Sequence, residues 1–181
     1  MLLKASESAV ILIDVQEKLT PLISGYEQLI AACEWVLSVA TTLGVPLILS
    51  EQYPQGLGPT LPELNQLCVD AVKIEKNHFS CAADTIAFKK IQNLKRKQLV
   101  LIGIETHVCV LQTALDLLRH DYEVFVVVDA VSSRALHDKE VAIARMQQQG
   151  VQVISKEMAL FEWAHLAGTQ VFKDLSKTFL R

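Results

Sequence analysis

Three residues whose side chains suit covalent chemistry are Asp14, Lys76 and Cys109. A thiol can attack a carbonyl carbon, a carboxylate can take the thiol proton and later deliver it to a leaving amine, and an ammonium can hold negative charge nearby. Each also has a plainer use. A carboxylate after a strand commonly caps the next turn, a lysine is mostly exposed, and a free cysteine is among the most buried residue types. What separates these three is where they fall among the predicted elements.

Short apolar runs rich in Val and Ile occur at residues 9–13, 45–49, 71–75, 98–102, 122–128 and 151–154. Between them lie segments of helical period. Leu29, Cys33, Val36, Leu37, Ala40 and Leu43 form one stripe, closed by Gly44 and Pro46, and Val110, Leu111, Ala114, Leu117 and Leu118 form another. Further helices are expected at about residues 82–94, 138–149 and 169–180. Such βα alternation predicts a parallel, doubly wound sheet covered by helices on both faces, without deciding the strand order. Asp14 ends the first run, Lys76 follows the third, and Cys109 lies where the fourth run passes into a helix. Parallel strands bring those ends to one edge of the sheet, so the three residues are expected to converge.

The position of Cys109 carries a further expectation. Unpaired amides and the positive dipole end of the following helix, together with Lys76, should lower the thiol pKa and favour thiolate. The stretch 51–60, with two Gly and two Pro, reads as a loop beside the same edge. Gln52, Tyr53, Leu57 and Phe79 are therefore candidate pocket residues, and His78 and His107, which flank Lys76 and Cys109, are possible substrate contacts. His137 is expected to cap the helix that follows it, and Trp35 and Trp163 to serve as core or subunit contact.

Composition excludes several classes. At 181 residues the chain suits one domain, taken as 1–181. Its 17 basic and 20 acidic residues give a net charge of -3 and are interspersed apart from the run Lys95-Arg96-Lys97, which reads as a solvated loop, so nothing favours nucleic acid. No apolar run is long enough to cross a bilayer, and no leader is expected, so a soluble, cytoplasmic protein is predicted. The four cysteines lack CxxC pairing or zinc-like spacing, which argues against disulfides and a structural metal.

Three fragments in order, Ile11-Leu12-Ile13-Asp14-Val15-Gln16, Lys76-Asn77-His78-Phe79-Ser80 and Gly103-Ile104-Glu105-Thr106-His107-Val108-Cys109-Val110, resemble the isochorismatase-like cysteine hydrolases. The similarity continues through Thr113-Ala114-Leu115-Asp116 and residues 128–134, and the stretch 51–60 resembles the isochorismatase-domain-containing subgroup. The resemblance implies an α/β fold, a three-layer α/β/α Rossmann-like sandwich with a six-stranded parallel sheet of order 3-2-1-4-5-6. It implies a catalytic triad of Asp14, Lys76 and Cys109, a cis peptide between Ile104 and Glu105, and an oxyanion hole formed by the backbone N–H groups of Glu105 and Cys109. It also favours a homo-oligomer.

No GxGxxG follows the first strand, so no dinucleotide cofactor is expected. Nicotinamidases of this superfamily carry an Asp-x-His pair after the second strand, where this chain reads Ser50-Glu51-Gln52-Tyr53. A lone Glu51 is a poor metal site, so no metal is expected. The resulting expectation is a metal-independent hydrolase of a small amide, carbamoyl or ureido compound, acting through a Cys109 acyl intermediate. A vinyl-ether hydrolase and a non-catalytic binding protein are the alternatives.

Overall fold

The computed structural model describes residues 1–180. The strands are β1 (Ser8–Ile13), β2 (Leu47–Gln52), β3 (Val72–Lys76), β4 (Gln98–Ile104), β5 (Glu123–Ser132) and β6 (Gln152–Ile154). The helices are α1 (Tyr26–Thr42), α2 (Pro54–Leu57), α3 (Pro62–Leu67), α4 (Thr85–Asn93), α5 (Leu111–Arg119), α6 (Leu136–Gln148), α7 (Lys156–Ala164) and α8 (Gln170–Phe179). All sheet pairings are parallel, in the order β3-β2-β1-β4-β5-β6. The fold is thus the six-stranded α/β sandwich that the resemblance implies.

β1 lies at the centre and is buried throughout. Its side chains alternate between two cores, as the strand period of two requires. Val10 and Leu12 face a layer built with Val36 and Leu37 of α1, Leu160 and Trp163 of α7, and Leu175 of α8. Ala9, Ile11 and Ile13 face the layer of Ala87 and Ile91 of α4, Ala114 and Leu117 of α5, and Met146 of α6. A strand wrapped on both faces has no place for a solvated side chain, which explains its unbroken apolar run.

Several boundaries differ from the expectations. β2 starts at Leu47 and reaches Gln52, which brings Ser50, Glu51 and Gln52 into the sheet rather than into a loop. Lys76 closes β3 instead of following it, and β4 extends to Ile104. The 51–60 stretch contains one helical turn, α2, begun by Pro54, where a missing N–H costs nothing. α3 starts on Pro62 in the same way, and α7 starts behind Ser155, whose hydroxyl accepts from Met158 N–H. His137 lies inside α6 and caps nothing: the cap position is Ala135, which has no side-chain acceptor to offer. Trp163 is core and donates to Ser8, whereas half-buried Trp35 packs edge-on against Phe179.

One glycine decides how the centre of the sheet closes. Gly103 has φ +112°, and a Cβ there would stand 2.2 Å from the carbonyl oxygen of Ile13. Only the absent side chain lets β4 lie this close to the end of β1 that carries Asp14.

Candidate active site

Asp14 immediately follows β1 with φ 53°, a left-handed backbone that aspartate tolerates better than most residues. Its N–H donates to the Ser50 carbonyl at 3.1 Å, tying it to β2. The carboxylate is fully buried and held at both oxygens. Lys76 Nζ donates to Oδ2 at 2.6 Å, and the Ser50 hydroxyl donates to Oδ1 at 2.5 Å.

Lys76 is only 4% exposed, unlike the surface lysine that composition alone favours. Its ammonium also donates to Gln52 Oε1 at 2.7 Å. Gln52 is fixed in turn: its Nε2 donates to the Asn77 carbonyl at 2.9 Å and its N–H to Gln16 Oε1 at 2.8 Å. Gln16 Nε2 closes the clamp by donating to the carbonyls of Gln52 and Gly58. Burial acts to lower the ammonium pKa, but the Asp14 carboxylate opposes it through its charge and its hydrogen bond, and the net direction is upward. Lys76 is therefore a cation, and Asp14 Oδ2 accepts from it.

Cys109 is 7% exposed and sits in a π turn, Thr106–Val110, between β4 and α5. Such wide turns occur mostly as single turns and often at functional sites. Here the Glu105 carbonyl accepts from Val108 N–H and Val110 N–H, both at 3.1 Å, and so passes over the Cys109 amide that an α-helical pattern would direct to it. The Ile104–Glu105 peptide is cis. The Glu105 side chain turns to Arg134, whose Nε donates to it at 2.9 Å, so its charge is paired away from the thiol.

The expectation of a low thiol pKa is overturned. Burial pushes the Cys109 thiol up, the Asp14 charge adds to this, and Lys76 opposes it without prevailing. The thiol sits in a dry wall beside a carboxylate, where a second negative charge is expensive. Cys109 is therefore a protonated thiol beside Asp14.

Two residues of this cluster were not among the expected site residues. Ser50 bridges to Asp14, and Cys81, fully buried, donates to Ser50 Oγ at a sulfur–oxygen distance of 3.4 Å. The available signal for Ser50 was a polar residue at the end of a buried strand, one register step from Asp14. The tentative pocket residues are more scattered. The Tyr53 ring is half exposed and lies over Gly56, whose Cβ position would be 2.1 Å from it. Leu57 is half-buried on α2 and its carbonyl accepts from Lys18 N–H, while Phe79 is 52% exposed. His107 Nδ1 is 3.0 Å from Ser133 Oγ, and Nε2 is 3.9 Å from Asp138. His78 instead lines a polar cavity of about 290 Å³ with Lys76, Glu75, Asn77 and Asp84.

Glu51, the lone oxygen donor of this edge considered for a metal, is committed to Thr60, accepting from its N–H at 2.7 Å and its hydroxyl at 2.8 Å. Among the described residues no three His, Cys, Asp or Glu side chains gather as a metal-binding group. Also among the described residues, no helix is long and apolar enough to cross a membrane.

The chain matches the family model described as Isochorismatase domain over residues 8–158. It is 41% identical to isochorismatase domain-containing protein 2A of Mus musculus over 171 residues, which cover 94% of this chain and 81% of that relative. The solved MAR1 ribonuclease of Caenorhabditis elegans superposes with a TM-score of 0.92 at 33% identity, covering 100% of this chain and 93% of that one. The YcaC gene product of Escherichia coli, an octameric hydrolase of unknown specificity, superposes with a TM-score of 0.92 at 25% identity, covering 99% and 91%. The buried Asp14–Lys76 pair and the thiol beside it thus sit on the fold of these relatives, and the chain belongs to the isochorismatase domain family, a family of hydrolases.

Proposed function

We propose that the protein hydrolyses a small amide, carbamoyl or ureido compound, without a metal, through a covalent acyl intermediate on Cys109. The observation that carries this reading is a buried carboxylate paired with an ammonium at 2.6 Å, whose charge pushes the neighbouring Cys109 thiol towards its protonated form. A thiol whose pKa is raised is not a standing nucleophile, so it needs a base that acts as it attacks. Asp14 fills that role.

In the first half-reaction Asp14 takes the thiol proton while Sγ bonds to the substrate carbonyl carbon, and the C=O π pair moves to oxygen. The amides of Cys109 and Glu105 hold the oxyanion, a role supported for Cys109 by the π turn that leaves its N–H out of the Glu105 carbonyl's bonds. The pair returns, the C–N bond breaks, and the amine leaves with the proton from Asp14. In the second half-reaction Asp14 deprotonates water, which attacks the thioester. The C–S bond breaks, Sγ recovers the proton, and the acid is released. Lys76 keeps a positive charge against Asp14 through both halves. Metal independence is supported by the commitment of Glu51 to Thr60.

The same reading includes a homo-oligomer, for which the octameric relative is the support. The ribonuclease activity of the nematode relative is not carried over, because a net charge of -3 does not favour the phosphate contacts on which nucleic-acid binding rests. The test is a screen of amides, carbamates and ureas for adducts by intact mass, with peptide mapping. An acyl adduct on Cys109 that is absent from Cys109→Ala is expected. Adducts confined to Cys33, Cys68 or Cys81, or RNA cleavage in place of amide turnover, would sink the proposal.

A further inference from the structure

We propose that Ser50 is a positioning residue for the Asp14 carboxylate, and that Cys81 fixes the direction in which the Ser50 hydroxyl donates. The inference rests on the reading of Asp14 as the base for Cys109 and adds residues outside the triad.

A carboxylate held by a lysine at one oxygen can swing about that contact, because an ammonium is a point charge with three rotatable donors. The Lys76 contact to Oδ2 is of this kind. The Ser50 bond to Oδ1 at 2.5 Å supplies the second point, and two points on different oxygens fix the plane of the carboxylate. That plane decides whether an oxygen lone pair faces the Cys109 thiol, and transfer of the thiol proton needs it to do so.

A serine hydroxyl has one proton and two lone pairs, so something must decide where its proton goes. The Cys81 thiol donates to Ser50 Oγ and occupies a lone pair, leaving the Ser50 proton for Asp14. Cys81 is itself anchored, its N–H donating at 3.0 Å to the Thr113 hydroxyl on α5, one turn beyond Cys109. Ser50, Cys81, Thr113 and Asp14 are each fully buried, so water does not compete for these bonds. The line Cys81 to Ser50 to Asp14 therefore runs one way and ends on the base.

The experiment measures iodoacetamide labelling of Cys109 against pH, by intact mass and peptide mapping of the full chain. Wild type, Ser50→Ala, Cys81→Ala and Cys81→Ser are compared. At neutral pH the rate depends on Asp14 taking the thiol proton, whereas in strong alkali hydroxide takes it and the orientation of Asp14 no longer matters. Ser50→Ala is expected to lower the neutral rate about tenfold, the effect of one hydrogen bond to a charged group, while its alkaline limb meets that of wild type. Cys81→Ala is expected to lower the neutral rate about threefold, and Cys81→Ser, which keeps a donor, to restore it. A Ser50→Ala neutral rate within about twofold of wild type, or neutral and alkaline limbs falling together as a packing defect would make them, overturns the positioning role. Failure of wild-type Cys109 to label at all overturns the reading of Cys109 as nucleophile and this proposal with it.

Discussion

The two core layers each hold a pair of cysteines, and the pairs behave differently. Cys33 and Cys68 lie in the layer under α1, among Val36, Leu37 and Leu64. Cys81 and Cys109 lie in the opposite layer, against the strand ends that carry Asp14 and Lys76. Burial raises all four thiols, Cys68 to about 11. Thiol pKa therefore does not separate the two pairs. What separates them is a carboxylate near Cys109 that carries its own counter-ion, the group to which the proposed mechanism gives the thiol proton.

The comparison breaks most sharply at that carboxylate. Asp14→Asn should lower the neutral-pH labelling or acylation rate of Cys109 by about a thousandfold, the middle of the range for a general base, while Cys33→Ala leaves it unchanged. Quantitative mass spectrometry of the Cys109 peptide measures both.

The counter-ion comes next. Lys76→Met leaves a buried carboxylate unpaired, and urea unfolding should show a loss of about 3–5 kcal/mol. The double variant with Asp14→Asn should regain part of this, because neither charge is then stranded.

Gly103→Ala tests the close approach that brings β4 to the end of β1. With a Cβ 2.2 Å from the Ile13 carbonyl oxygen and φ +112°, the loss should be about 3 kcal/mol by the same measurement.

Alkaline pH should erode stability through Lys76 and the thiols together. Each has a folded pKa raised above its ordinary value, 10.5 for the lysine and 9.0 for the thiols. Their contribution is complete below those values and is lost as pH rises through the folded ones. Thermal melts from neutral pH upward should fall beginning near pH 9.0, and less steeply in Cys33→Ala.

The smallest effect belongs to the Glu105–Arg134 pair, whose arginine is 60% exposed. Arg134→Gln should cost about 0.5 kcal/mol in urea unfolding.

Which elements were legible follows from how local their signals are. The strand runs were readable because a strand buried on both faces must be apolar along its length, and α1 because its stripe repeats over four turns. α7 was missed because its apolar residues lie on more than one side, with Phe161 and Met158 partly exposed, and give no clean stripe. The ends of β2 and β3 were misjudged because Ser50, Gln52 and Lys76 are polar yet belong to the sheet, each bonded to a partner distant in sequence. Tyr53 and Phe79 were read by proximity to strand ends, which does not say where a side chain turns.

The residue types of Asp14, Lys76 and Cys109, and their arrival at one sheet edge, were determined by the sequence, because alternating strands and helices force a parallel sheet whose strand ends share a side. The protonation of Cys109, the left-handed turn at Asp14, the amide passed over in the π turn, and the Cys81–Ser50 support were decided only in the tertiary structure. Each of these depends on distance and burial between segments tens of residues apart, and a one-dimensional pattern contains neither.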